Sequence, residues 1–428
     1  MFVARSAARV RLARLAFLVL CLAPFAGLTA WAVRCHSEAH RAALEQRWQV
    51  VLGVPLTVAS VEHPRPGVTR LHDVAVPAAG GGAVLRLPLV ELESSADEDR
   101  LRVAEFRGTA EAAAVLATLA RDWLTDDVRF RRTCLIEVAD FDWEEPPADG
   151  PEMPATGPPD TGSLRIECVA RSETRALRIV RRAATTDEVR IVRRPRLDQA
   201  GDAAPATVSI SAECQRPLPL GVVAVAAGVP LPWAAACRGA AATGRLDAEW
   251  TDAGWSGTAR GSIAGLSLAA AAATVGGRGS GTAEVGVTKL EWKNGRVTTG
   301  LFECSAGPGS VDGRLFDRVV LALGARPGPA AGPLPPDGDR LFDTLACLIG
   351  IGPHGVQILP AASMPAAVAV RDRDILLLPP LAAVPGERVA WLLSAPGTSF
   401  GPAAGPGAWL ISVLPGDGPP EGESGTRF

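Results

Sequence analysis

Residues 281–300 read GTAEVGVTKLEWKNGRVTTG. Apolar and polar residues alternate on either side of Asn294-Gly295, the dipeptide best suited to a two-residue hairpin because both positions tolerate positive φ. The spacing predicts strands over 282–292 and 296–304. Upstream, 245–250, 255–263 and 266–274 complete a set of five, with turns at Asp252-Ala253-Gly254 and Gly276-Gly277. Gly257, Gly261 and Gly281 are candidates for bulges or curvature. Ala269 to Ala273 are five alanines in a row. A face of Ala, Val and Gly fills no deep core and needs a cover, either an apolar helix within 217–233 or a lipid chain. Leu266 and Leu268 are the candidates for lining an apolar groove in the second case.

The same alternation recurs toward the N-terminus. Strands are expected over 56–61, 68–76, 84–93, 101–108 and 132–141, with Leu85, Leu87 and Leu89 on one face. A turn is expected at Pro64-Arg65-Pro66-Gly67, and another at Gly80-Gly81-Gly82. Two stretches carry helical spacing instead: 37–52, through Leu44, Trp48, Val51 and Leu52, and 110–124, through Val115, Leu116, Leu119 and Trp123. Gly53 and Pro55 stop the first. An internal echo, LRIVRR at 177–182 and VRIVRR at 189–194, reads as a β-hairpin. Leu177, Ile179, Val189 and Ile191 share one face. Arg178, Arg182, Arg190 and Arg194 share the other, either as a surface for anionic lipid headgroups or as an ordinary solvated face.

Residues 15–33, LAFLVLCLAPFAGLTAWAV, hold no charge. Their number is close to the ~20 residues of a bilayer-spanning helix. Arg5, Arg9, Arg11 and Arg14 precede them, with no acidic residue, so 1–14 is expected in the cytoplasm and the chain from 35 onward across the inner membrane. Ala30-Trp31-Ala32 also fits a signal-peptide cleavage pattern. Both readings export the rest.

The net charge of −3 gives no reason to expect nucleic acid. The organisation expected is a basic tail at 1–14, an anchor at 15–34, a β-rich domain at 35–145, and a Pro/Gly linker at 146–162. A second β-rich domain follows at 163–324, then a linker at 325–340, a small α+β segment at 341–395 and a disordered tail at 396–428. Within 341–395, Leu341 to Ile349 reads as helix, and 375–378 and 389–393 as short strands. The fold class is mainly β: antiparallel, curved or grooved sheets with a few short helices on one N-terminal transmembrane helix.

Chemical motifs are sparse. The eight cysteines show no C-x-x-C and no Cys/His ladder. They read as small buried hydrophobes, though an exported location also permits disulfides. His36 and His40 lie four residues apart on the helix after the anchor, but no third ligand is evident, so no metal is expected. Gly350 to Gly355 matches G-x-G-x-x-G, yet Pro353 interrupts it and no helix follows. There is no G-x-S-x-G nucleophile elbow. No catalytic residue, enzymatic activity or cofactor is expected.

The order of anchor, short helix ending in Leu52-Gly53-Val54-Pro55, strand, Pro-Gly turn and strand, through residue 93, resembles the N-terminal region of AsmA-like proteins, relatives of the bridge-like lipid-transfer proteins. Residues 281–300 are similar in style to the repeating sheet of that family. The resemblance implies a long β-sheet with an apolar concave face, phospholipid as ligand, and a role in envelope upkeep. The chain is short for a full bridge across the envelope. The expected function is a non-enzymatic envelope protein binding or moving lipid, held to the membrane through 15–33. The alternative is a structural or protein-interaction scaffold with no lipid ligand.

Overall fold

The computed structural model describes residues 7–77, 83–126, 129–130, 132–143, 162–171, 174–182, 186–197, 203–226, 237, 239–332, 338–394 and 406–415. The expected glycine turn at 80–82, nearly all of the linker at 146–162, residues 333–337 of the second linker, and 396–405 and 416–428 of the tail lie outside these residues.

The chain starts as one long helix: α1 (Ala7–Phe17), a π-helical turn at Leu18–Leu22, and α2 (Ala23–Cys35). Pro24 follows the π turn; it offers no N–H, and the wider turn is one way a helix absorbs that gap. The stretch Arg11–Cys35 is long and apolar enough to cross a membrane, a test that a signal sequence also passes. Leu20, Phe25 and Leu28 are each about two-thirds exposed or more, while at the end of the helix Cys35 is buried and Trp31 lies beside His63. After it comes α3 (Glu38–Leu52). Ser37 caps it by accepting from the His40 amide, and Gly53 ends it at φ 73, where a side chain is disfavoured.

The strands then run β1 (Ser60–Arg65), β2 (Val68–Pro77), β3 (Ala83–Ser94) and β4 (Glu98–Gly108). The first starts later than expected: residues 56–59 meet β2 through an isolated bridge of Thr57 with Ala75 and a bond from the Ala59 amide to the His72 carbonyl. Helix α4 (Ala110–Thr125) crosses over to β5 (Thr133–Trp143), which pairs parallel to β4. Parallel neighbours need such a crossover. Strands β6 (Gly162–Arg171), β7 (Thr174–Arg182), β8 (Thr186–Leu197) and β9 (Ala203–Pro219) follow, with β7 and β8 forming the hairpin that the arginine echo predicts. Helix α5 (Leu220–Ala226) packs beside α4; residues 227–233 of the expected cover lie outside the described residues.

Next come β10 (Ala241–Thr251), β11 (Gly254–Ser267), α6 (Leu268–Thr274), β12 (Gly279–Ser280), β13 (Thr282–Lys293), β14 (Arg296–Ala306) and β15 (Gly309–Asp312). The alanine run is therefore helix, not strand. Ala is the best helix former, and Ser267 caps the turn by accepting from the Ala270 amide. The remainder is α7 (Gly313–Leu323), β16 (Arg326–Pro327), β17 (Asp339–Phe342), β18 (Thr344–Gly352), β19 (Gly355–Pro360), β20 (Ala369–Arg371), β21 (Asp374–Leu378), α8 (Gly386–Leu392) and α9 (Pro406–Val413).

Three expectations for this last part are corrected. Residues 341–349 are strand, because β18 pairs with β14 from Leu345 to Ile351. Residues 389–392 are helix, with Ala390 fully buried. The described parts of 325–340 and of the tail are folded: Ala325, Ala331 and Leu414 are buried in one cluster with Phe316 and Phe342.

One sheet of 18 strands holds nearly everything. Pairing runs in chain order from β1 to β11 and continues through β13, β14 and β18. The ladder thus crosses the 146–162 stretch and joins the two expected β-rich domains through β5 and β6, and continues within the second through β9 and β10. Its apolar face carries two main cores. One lies between β1–β5 and the helices α3 and α4; the other lies between β14–β21 and α7, with α9 packed alongside.

Candidate functional site: the two faces of the sheet

In β-sheets successive side chains point to opposite faces, so strand register assigns each residue a side. One side is charged, and its charges form a ladder across the strands. Arg70 on β2 bonds Glu91 on β3 at 2.9 Å, and Arg102 on β4 reaches the same carboxylate at 3.3 Å. Arg102 and Arg165 each lie 3.8 Å from Glu137 on β5. Arg165 bonds Glu167 at 2.9 Å, and Arg178 on β7 lies 3.6 Å from Glu167 and 2.8 Å from Glu188 on β8. The bond from Arg70 holds the Glu91 carboxyl below its ordinary range, and the bond from Arg178 does the same to Glu188.

This ladder decides the fate of the four arginines singled out from the sequence. Arg178 stands directly opposite Arg190, a repulsive arrangement that Glu167 and Glu188 offset. Its charge is therefore committed within the sheet. Arg190 and Arg194 line a groove of about 500 Å³ with Ser209, Ser211, Asp247 and Glu249. Arg182 lines a different groove, of about 430 Å³, with Glu91, Arg102, Glu137 and Arg165. The four share a face but not a site, and both grooves mix the two signs of charge.

The opposite side is mainly apolar, interrupted on β7 and β8 by Arg175, Arg181, Asp187 and Arg193, and its cover changes along the way. From β2 to β7 every strand buries at least one residue there or at its ends. Leu85, Leu87 and Val90 join the core while Leu89 does not. The expected single leucine face is broken where the pairing passes from His72 with Leu89 to Val74 with Leu87, across Asp73 at φ 50. Near α4, Trp123 and Leu124 pack on Cys168 and Leu177. Arg175, 5% exposed, lies on this side; its Nη1 donates to the Trp123 carbonyl at 2.6 Å and its Nη2 to the Phe130 carbonyl.

No residue of β10, β11 or β13 is buried. Yet the same side carries Leu246, Ala248 and Trp250 on β10, facing Ala259, Gly257 and Trp255 on β11, which in turn face Leu290 and Trp292 on β13. Trp250 and Trp255 are direct partners, 36% and 39% exposed. A Cβ at Gly257 would sit 2.6 Å from the Trp292 ring, so the glycine makes room for that ring. Gly261, in contrast, sits at a register shift, as a bulge glycine does. Leu266 and Leu268 are not part of this strip. Leu266 follows the second register shift of β11, and Leu268 opens α6 and packs into the C-terminal core. The sequence signal for the strip is the alternation that brings Leu246, Ala248, Trp250, Trp255, Leu290 and Trp292 to one face.

On the apolar face Cys304 stands opposite Cys347, and the hydrogen bond from Cys347 holds the Cys304 thiol below its ordinary range. Cys134 and Cys168 stand opposite each other, and burial pushes both thiols up to about 12. Every cysteine is a free thiol. The G-x-G-x-x-G segment forms the β18–β19 hairpin, with Gly352 paired to Gly355, and opens no helix. No family model matches the chain, and no curated protein or solved structure matches it.

Proposed function

We propose that this chain is a membrane-anchored, exported envelope protein without enzymatic activity, which binds or moves phospholipid along the apolar strip of β9–β14. The observation that carries the reading is the strip itself: an apolar sheet face on which three successive strands bury nothing. Five strands at about 4.8 Å spacing make it roughly 20 Å across. One leaflet of a bilayer is about 15 Å of hydrocarbon, so an acyl chain laid across the strands fits within the strip. Each methylene buried contributes roughly 0.8 kcal/mol. The Trp250, Trp255 and Trp292 rings sit at one end of the strip, and such rings suit the border between hydrocarbon and water.

The uncharged helix before the sheet supports placement at the lipid source. Arginines before it and none of the opposite sign favour a cytoplasmic N-terminus, an inner-membrane anchor and an exported sheet. The AsmA-like resemblance of residues 15–108 and 241–304 points the same way. Arg190 and Arg194, which line one groove with Ser209 and Ser211, are the remaining headgroup candidates on the far face.

The test is lipid content. Full-length protein purified in mild detergent should carry phospholipid, and Leu246→Glu should lose most of it while keeping its near-ultraviolet circular dichroism. A folded Leu246→Glu protein that keeps its lipid would sink the reading. Unfolding of that variant would mark the strip as a closed core and leave the scaffold reading in its place.

A further inference from the structure

Cys35 is the last residue of α2, His40 lies in the first turn of α3, and His63 lies within β1. Cys35 and His40 lie on successive helices and His63 lies 23 residues beyond His40, and one ligand atom from each residue lies within 4.8 Å of the other two. The two Nε2 atoms of His40 and His63 are 3.1 Å apart. Their rings are tilted by 59°, so they meet edge to edge rather than stacked. Cys35 is 9% exposed. The other ring nitrogen of His63, Nδ1, lies 3.2 Å from Thr69 Oγ1. That hydroxyl can accept the Nδ1 proton, which leaves the Nε2 lone pair facing His40.

We propose that Cys35, His40 and His63 bind one zinc ion at the junction of the apolar helix and the sheet. A thiolate with two imidazoles is a donor set that zinc takes, at about 2.3 Å from sulfur and 2.0–2.1 Å from nitrogen. In a tetrahedral site those bonds place two nitrogens about 3.3 Å apart, close to the separation found. Three protein ligands leave a fourth position for water. Thr69 has the place of a partner that fixes the tautomer and orientation of a zinc-bound imidazole. Without an ion, a single N–H···N bond joins the histidines and Cys35 takes no part. With zinc, the end of the membrane helix, α3 and β1 become one rigid corner, which fixes the angle at which the sheet leaves the helix.

Full-length protein in detergent, loaded with zinc and gel-filtered, should retain one equivalent by elemental analysis. Cobalt(II) in its place should give tetrahedral d–d bands and a thiolate-to-metal charge-transfer band. Cys35→Ser should abolish the charge-transfer band, and His63→Gln should weaken zinc binding by at least about tenfold. His36→Gln, a neighbour outside the cluster, should change neither. If His63→Gln fails to fold, Thr69→Val keeps all three ligands and should weaken zinc by about 10–100-fold. Wild-type protein that retains no zinc overturns the site, as does unchanged zinc affinity in the folded variants.

Discussion

Strands β2–β7 and strands β10–β13 are built on the same alternation of apolar and polar residues, yet only the first set buries its apolar side. The difference lies in the connections. β4 and β5 are parallel, so the chain needs a crossover, and the crossover is α4, which lies on the sheet and seals it. β10 joins β11 through a tight turn, and β13 joins β14 through Asn294-Gly295. The helix between β11 and β13, α6, packs into the C-terminal clusters instead of over the strip. Phe106, Phe141 and Trp143 pack on one another in the covered part, while in the open part Ala248, Gly257 and Ala259 lie among Leu246, Leu290 and three tryptophans. Alternation sets which side is apolar, and topology sets whether that side becomes a core.

The largest expected contrast is in truncation. Phe106 is 6% exposed and stacks on Phe141 at 5.1 Å, with Trp143 edge-on at 5.5 Å. Phe106→Ala should cost about 3–5 kcal/mol in urea unfolding followed by tryptophan fluorescence. Leu246→Ala, on the open strip, should cost less than about 1 kcal/mol. Equal costs would erase the distinction between covered and open regions.

An intermediate effect should come from the arginines. Arg175 fastens the end of α4 to β7 through two carbonyls and packs its guanidinium 5.3 Å from the Trp123 ring centre. The last carbonyls of a helix have no partner within it. Arg175→Ala strands those acceptors in a buried place and should cost about 1–3 kcal/mol. Arg245, about half exposed and bonded to Asp247 at 2.8 Å in the open part, should lower the melting temperature less than Arg175 does when each is changed to Ala. Thermal unfolding of the two variants side by side checks this; a softer loss at Arg175 than at Arg245 would mean that α4 is not what closes the covered half.

Much of this was legible from the sequence where the signals are local. Ser37 and Gly53 bound α3, the Arg repeat gave the β7–β8 hairpin, and Asn294-Gly295 gave β13–β14. Local signals misled where pairing at long range overrode them. Residues 341–349 have helical spacing, but the free edge of β14 takes them as a strand. The alanine run read as strand only because its neighbours are strands, although its own propensity is helical. The charge ladder and the Cys35–His40–His63 cluster were out of reach, since each joins residues whose proximity depends on strand register. His36, the histidine that spacing selected as a partner of His40, is not in the cluster; His63, 23 residues beyond His40, is.

The smallest expected effect lies in the pH response of the covered half. Glu91 and Glu188 have carboxyl groups held below their ordinary value of 4.5, chiefly by hydrogen bonds from Arg70 and Arg178. A carboxylate whose folded value is depressed adds stability above its unfolded value, and that stability is lost as the pH falls through the folded value. Acidification from pH 5 toward pH 3 should therefore loosen the β2–β8 ladder. The loss is modest, because the paired groups are solvated and exposed pairs contribute little. Glu91→Gln removes the carboxylate that Arg70 and Arg102 share, so this variant should start slightly less stable at neutral pH and lose less on acidification. Glu188→Gln, which removes the carboxylate that Arg178 holds, should behave in the same way. In 1 M salt, where screening acts within about 3 Å, the difference between Glu91→Gln and wild type should shrink. If both variants follow the wild-type slope at low salt, the ladder is a set of solvated charges without mutual support, and the covered half owes its stability to the α3 and α4 packing alone.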